Sequence, residues 1–184
     1  GNGGRCGGFD GDGLLDVFVT NDRSFAFLLR NLGGGRFKEE AFDWGVAVPQ
    51  DGNPVSGMGV DAQDFDNDGK VDLVILPISG TPLLLSNRTS GNYSWIGFTL
   101  RGTRSNRDAI GSQVRVESCG QVQFETVRSG GSYLSRNDPR VHFGLGSCSK
   151  VDQVTVTWPD GSKQVLRNPA VNHYAEVRQA RVGT

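Results

Sequence analysis

Two stretches of this chain repeat one another 56 positions apart, and that repeat limits the folds open to it more than any other feature. Gly8-Phe9-Asp10-Gly11-Asp12-Gly13-Leu14-Leu15-Asp16-Val17 aligns with Asp64-Phe65-Asp66-Asn67-Asp68-Gly69-Lys70-Val71-Asp72-Leu73. Downstream, Leu28-Leu29-Arg30-Asn31 aligns with Leu84-Leu85-Ser86-Asn87 at the same offset, without a gap. A fixed internal period marks units that cannot bury their apolar faces alone and must pack on one another. Each unit reads as an Asp-rich loop, an apolar strand (16–20; 72–76) and a second strand (26–30; 82–86). The first continues through the Gly33-Gly34-Gly35 turn into a third strand at 36–39.

The repeat stops after Asn87, and 89–92 is a short polar linker. Beyond Trp95, strands are predicted at 96–100, 113–118, 122–128, 140–144, 151–158, 163–166 and 174–178. Alternation is clearest at 151–158, where Val154, Val156 and Trp158 share one face. Pro159-Asp160-Gly161-Ser162 turns the chain between two of these strands. With 27 glycines in 184 residues, long helices are excluded, because glycine costs about 1 kcal/mol at each helical position. The expected fold is therefore all-β: two propeller-blade-like β repeats over 1–90, followed by an antiparallel β-sandwich domain over 91–184.

Net charge divides at the same place, −6 over 1–90 and +5 over 91–184. The basic half has no dense Lys/Arg run, so nucleic acid is excluded as a partner. No apolar run approaches the roughly 18 residues a membrane helix needs. The chain opens Gly1-Asn2-Gly3-Gly4 with neither an initiator Met nor a leader, so a processed or truncated product is expected.

The Asp loops carry the chemistry. Asp64, Asp66, Asp68 and Asp72 fall at positions 1, 3, 5 and 9 of a nine-residue loop. Gly69 permits the sharp turn, and the carbonyl of Lys70 is placed to complete a ligand set. Calcium takes about six to eight hard oxygen ligands, and alternating carboxylates in a tight loop suit it better than magnesium. Without a cation, these carboxylates would repel until some were protonated. The alternative is a solvated acidic turn. In the first loop Gly8 holds position 1, leaving Asp10, Asp12 and Asp16 with the Leu14 carbonyl and water as the candidate calcium set. Its alternative is a turn joining strands. An EF-hand would need Glu at position 12, which is Ile75, and flanking helices.

The loop Asp64–Asp72, preceded by Gly57-Met58-Gly59-Val60, resembles the calcium loop of FG-GAP/VCBS-type repeats, which form blades of extracellular β-propellers. The second half resembles the ASPIC/UnbV family domain. The matching stretches are Leu100-Arg101-Gly102-Thr103, Ser105-Asn106-Arg107-Asp108-Ala109-Ile110-Gly111, Gly131-Ser132-Tyr133-Leu134-Ser135, His142-Phe143-Gly144-Leu145-Gly146 and Val156-Thr157-Trp158-Pro159-Asp160-Gly161. The resemblance implies secretion and calcium-stabilised interaction surfaces. It implies no catalytic role for the second domain.

In a secreted sandwich Cys119 and Cys148 are expected to pair, the alternative being two buried thiols. Cys6 is left over, either free, separated from its partner, or bonded to another chain. No Cys-x-x-Cys or paired His supports zinc. His142 reads as a strand residue, and no catalytic constellation accompanies it or His173. Asp108, beside Asn106 and Arg107, marks either a binding loop or a turn that holds Ile110 against the core. Asn87-Arg88-Thr89 and Asn92-Tyr93-Ser94 fit the N-glycosylation pattern.

A propeller closes with about four to eight blades, and two blades leave strand edges open. The reading is an extracellular (secreted or cell-surface), non-enzymatic, calcium-binding adhesion or scaffold protein. Through its open β edges it would form homo-oligomers or filaments. The alternative is an extracellular module that binds a protein or glycan ligand on platforms such as Trp44, Tyr93 or Trp95.

Overall fold

The computed structural model describes residues 3–49, 51–91, 93–133 and 136–181. Among them the chain is all strand and turn, with no helix. No helix is therefore long and apolar enough to cross a membrane. Fourteen strands among the described residues fall into two compact units. One comprises Gly1–Asp10, Leu14–Ser90 and Gly130–Asp138; the other comprises Gly11–Gly13, Gly91–Ser129 and Pro139–Thr184.

The first unit holds two blades. In the first, β1 (Gly3–Gly7), β2 (Asp16–Thr20), β3 (Phe27–Asn31) and β4 (Phe37–Glu39) pair in chain order, all antiparallel. In the second, β5 (Gly57–Gln63), β6 (Asp72–Pro77) and β7 (Leu83–Leu85) do the same, with three strands instead of four. Facing side chains close the core between them. Phe18 and Leu28 of the first blade share a buried cluster with Val60, Ala62, Leu73 and Ile75 of the second.

The strands that open the two blades, β1 and β5, have no apolar alternation to announce them. Their glycines serve close approach instead. A Cβ on Gly3 would stand 2.6 Å from the carbonyl oxygen of Met58, and one on Gly57 would stand 2.9 Å from Cβ of Thr20. Only glycine lets β1 come this near to β5, and β5 this near to β2. Ser132 and Asn137 bond to β5: Val60 N–H donates to Ser132 Oγ at 2.8 Å, and Asn137 Nδ2 donates to Asp61 at 2.8 Å. Arg5 completes this polar knot through an ion pair with Asp61 at 3.2 Å.

The second unit is a sandwich of two sheets. One runs β10 (Gln121–Thr126), β9 (Gln113–Ser118), β12 (Gln153–Thr157), β13 (Lys163–Arg167). The other runs β11 (Val141–Gly144), β8 (Trp95–Arg101), β14 (Tyr174–Arg178). Val154, Val156 and Trp158 all point into its core with Ile96, Phe98, Val114 and Phe143, as their alternation predicts. One pair departs from the antiparallel expectation: β14 runs parallel to β8.

Candidate metal centre

In both Asp loops the backbone turns left-handed at the same two positions. Asn67 and Gly69 have φ of 62° and 92°; Gly11 and Gly13 have 75° and 93°. Asn tolerates that region better than other side-chain-bearing residues, which explains Asn67 where the first loop has glycine.

Asp at position 9 ties the start of each loop to the far end of the blade's third strand. Asp72 accepts the Phe65 N–H at 3.0 Å on one oxygen and the Asn87 N–H at 2.8 Å on the other. Asp16 does the same with Phe9 and Asn31, both at 2.9 Å. The two asparagines close the bracket from their side. Asn87 Nδ2 donates to the carbonyls of Phe9 at 2.7 Å and Val71 at 3.0 Å, while its Oδ1 accepts from Thr89 N–H at 3.0 Å. Asn31 Nδ2 donates to the Leu15 carbonyl at 3.1 Å. The 56-residue offset contains both asparagines, but nothing in the spacing reveals this Asp–Asn bracket.

Asn87 is also one of the two predicted glycan acceptors; in the folded chain its side-chain nitrogen donates to two main-chain carbonyls. Asn87→Ala should cost about 2 kcal/mol, the net worth of two or three lost hydrogen bonds. Urea denaturation measures it, and a loss under about 0.5 kcal/mol would show that the bracket does not hold the blade.

The second loop gathers three carboxylates. Asp64, Asp66 and Asp72 each bring one oxygen within 4.8 Å of the others. Asp64 and Asp72 are buried and Asp66 is exposed. Main-chain donors orient them: Gly69 N–H to Asp64 at 3.1 Å and Asp68 N–H to Asp66 at 3.1 Å. Burial pushes the Asp64 carboxyl above its ordinary range. The Gly69 and Asn67 amides oppose that shift, and the charges of Asp68 and Asp66 add to it. Asp68, also predicted as a ligand, lies outside the cluster; it accepts the Lys70 N–H at 2.9 Å and stands 3.9 Å from the Lys70 ammonium. Three hard anionic oxygens in a partly buried loop fit a divalent cation, with the Lys70 carbonyl and a rotated Asp68 as further donors.

The first loop is not built this way. Asp10, Asp12 and Asp16 do not gather into such a group. Gly8 offers no carboxylate. Asp10 lies 3.4 Å from the Arg30 guanidinium, which also pairs with Glu40 at 2.7 Å. Lys38 reaches Glu40 from the other side at 2.5 Å, and its hydrogen bond is the main reason the Glu40 carboxyl sits below its usual range. At the equivalent of Arg30 the second repeat has Ser86. Arg30 thus places a positive charge beside the first loop, where the second loop has the neutral Ser86. Titration calorimetry should accordingly return one calcium per chain; two would show that Arg30 yields its place.

The remaining candidates sort as follows. Cys119 and Cys148 form a disulfide with Cα atoms 6.1 Å apart, and Cys6 is free and exposed. Asn92 lies outside the described residues. Trp95 is no platform: it is buried and stacked on His142, ring centroids 5.1 Å apart. Trp44 is half-buried and lines a crevice of about 420 Å³ with Phe9, Leu28 and Leu73; Tyr93 is exposed. His142 sits in β11 with Nδ1 3.0 Å from the Tyr174 hydroxyl, and His173 lies in an exposed turn. The 105–111 motif is a turn that Asn106 ties by exchanging two 2.8 Å hydrogen bonds with the Ile110 backbone. The residue it drives into the core is Ala109, with φ of 54°, and not Ile110.

Residues 8–75 match the family model described as FG-GAP-like repeat, and 102–183 the one described as ASPIC and UnbV. Cartilage acidic protein 1 of Homo sapiens is 32% identical over 174 residues, which is 88% of this chain and 25% of that protein. The Mus musculus protein of that name is 32% identical over 174 residues, 88% of this chain and 26% of its own length. For Xenopus tropicalis the match is 32% over 165 residues, 83% of this chain and 24% of the relative. The chain thus spans about a quarter of the length of the curated relatives it matches.

Proposed function

We propose that this chain, an FG-GAP-like repeat segment followed by an ASPIC/UnbV domain, is a secreted, non-enzymatic, calcium-binding adhesion or scaffold protein that associates with copies of itself outside the cell. The observation that carries this reading is the Asp64–Asp66–Asp72 cluster. Calcium needs about six to eight oxygens, so the three carboxylates would be joined by the Lys70 carbonyl, Asp68 and water. An affinity on the order of 10⁻⁴–10⁻³ M suits a site in an extracellular module.

The Cys119–Cys148 bridge supports secretion, since such bonds persist in oxidising compartments. Relatives named for cartilage point the same way. A structural role is supported by the carboxylates themselves, since Asp64, Asp66 and Asp72 each accept a main-chain N–H of their own loop, which orients them within it. Self-association is supported by the edge strands β4 and β7, each of which has a neighbour on one side only within its sheet. Repeated without closing, such a contact gives a filament.

Size-exclusion chromatography with light scattering, run in calcium and again in chelator, tests the reading. Oligomers in calcium that fall to monomers in chelator are expected. Monomers in both would remove the scaffold role and leave a calcium-stabilised ligand-binding module.

A further inference from the structure

We infer that the outward face of the β10–β9–β12–β13 sheet binds an anionic polysaccharide, a glycan chain bearing carboxylate or sulfate groups. The site belongs to the second unit alone and does not depend on self-association.

Each of these strands turns alternate residues inward and outward. Val114 and Val116 of β9, with Val154 and Val156 of β12, are buried in the sandwich core and fix the inner side of the sheet. Register arranges the outward residues in rows that cross the strands. In one row Phe124 of β10 opposes Arg115 of β9, Arg115 opposes Thr155 of β12, and Thr155 opposes Val165 of β13. In the next, Val122, Glu117, Gln153 and Arg167 line up the same way. Phe124 is 63% exposed, Val165 48% and Val122 43%. The face therefore has apolar side chains on its two edge strands and polar ones between.

The polar middle is held in place before any ligand arrives. Arg115 pairs with Glu117, and its guanidinium lies 5.8 Å from the centre of the Phe124 ring. Gln153 Nε2 donates to Glu117 at 3.2 Å and to Thr155 Oγ1 at 3.3 Å. Sugars offer what such a face takes. The C–H bonds on one side of a pyranose ring carry slight positive charge and stack on the negative face of an aromatic ring. Neighbouring hydroxyls exchange hydrogen bonds with amide, carboxylate and guanidinium groups that need no reordering. Strands about 4.8 Å apart match the rise of successive sugars in an extended chain laid along a row.

Charge selects among glycans. The outward face carries Arg115, Lys163 and Arg167 against a single carboxylate, Glu117, among the described residues. Arg115 balances Glu117, so Lys163 and Arg167, which flank Val165 on β13, leave two positive charges in excess. The +5 balance over 91–184 has the same sign. A chain stacked on Phe124 and running across the sheet reaches these cations at β13, where the guanidinium of Arg167 suits a carboxylate or sulfate held by two hydrogen bonds. Four charged side chains also mark the face as one that meets water and a polar ligand, since permanent burial would require each of them to be desolvated. An acidic peptide would satisfy Lys163 and Arg167 but has no flat C–H face for the Phe124 ring.

The test is isothermal titration of the full chain with a heparin octasaccharide near physiological salt. The proteins compared are the wild type, Phe124→Ala, Phe124→Tyr and the double variant Lys163→Ala with Arg167→Ala. All three positions are exposed, and circular dichroism checks that each variant is folded. Saturable binding is expected for the wild type. Phe124→Ala and the double variant should each lose roughly tenfold in affinity, about 1.4 kcal/mol. Phe124→Tyr keeps a ring and should bind as the wild type does. Poly-glutamate of similar charge should bind at least about tenfold more weakly than the glycan. No binding of the octasaccharide would overturn the proposal, as would an affinity that survives both Phe124→Ala and the double variant. Loss on removing the charges with Phe124→Ala unchanged would reduce the face to a general polyanion surface. Poly-glutamate that binds as tightly as the glycan would replace the polysaccharide with an acidic protein.

Discussion

Asp64→Asn should change sign with calcium: stabilising in chelator and destabilising when calcium is saturating. In the metal-free protein Asp64 is buried, and its neighbours Asp66 and Asp72 bring oxygens within 4.8 Å. Two unit charges at that separation repel by about 3–4 kcal/mol at an effective dielectric constant near 20. Proton uptake relieves part of this, so removing the Asp64 charge should gain about 1–2 kcal/mol in chelator. Asn keeps an oxygen to accept the Gly69 N–H, and the loop geometry survives. With calcium at about one hundred times its dissociation constant, the wild type gains about 2.7 kcal/mol, and the variant loses most of that. For a chain of this size the swing corresponds to roughly 5–10 °C in the melting temperature of the first unit.

The pH dependence follows from the same burial. Asp64 titrates above its ordinary 3.8 in the folded, metal-free chain. The folded state therefore holds its proton more tightly than the unfolded state does. The stabilisation is complete below about pH 4 and is lost as pH rises through the folded value. Calcium removes that loss by favouring the carboxylate. Differential scanning calorimetry from acid to neutral pH, with calcium and with chelator, reads both effects. A variant that melts below the wild type in chelator would show that the Gly69 and Asn67 amides outweigh burial and repulsion and hold Asp64 as a stabilised anion.

The loop was legible because its chemistry lies in side chains at fixed spacing. The nine-residue spacing brings Asp64, Asp66, Asp68 and Asp72 to attention together and the offset of 56 locates both loops, but which three gather shows only in the folded loop. What stayed hidden depends on contacts across the fold. Arg30 looks like any surface arginine until β3 is folded back beside the first loop, where it meets Asp10. Asn31 and Asn87 appear as repeat matches, yet their role is set by hydrogen bonds to loops about 15 residues away. β1 and β5 escape alternation because Gly3 and Gly57 are chosen for the space between strands. The periodic strands of the second unit were easier, since Val154, Val156 and Trp158 announce a buried face by period alone. The parallel pairing of β14 with β8 was not, because register between strands some 75 residues apart leaves no local mark.

Cutting the Cys119–Cys148 bridge should cost the second unit about 3–4 kcal/mol, the chain-entropy value for a loop closed at a separation of 29 residues. The bridge ties the β9–β10 hairpin to the segment after β11, two places that no ladder hydrogen bonds join directly. Its position explains an unusual turn. Cys119 and Gly120 form the two-residue connection between β9 and β10, with φ of 48° and 79°. Both values are positive, as in the turn that suits twisted hairpins, and Asn is the residue usually preferred at the first place. A cysteine accepts that conformation here because the bridge holds it. Two double variants separate the effects. Cys119→Ala with Cys148→Ser removes the bridge and leaves a strained alanine. Cys119→Asn with Cys148→Ser removes the bridge but restores good turn chemistry, so it should retain about 0.5–1 kcal/mol more. Thiol titration gives the control: one reactive group, Cys6, in the native protein and three after reduction and unfolding. Denaturation midpoints for the second unit that agree between wild type and both variants would show that the hairpin is held by the Val114–Val156 core alone.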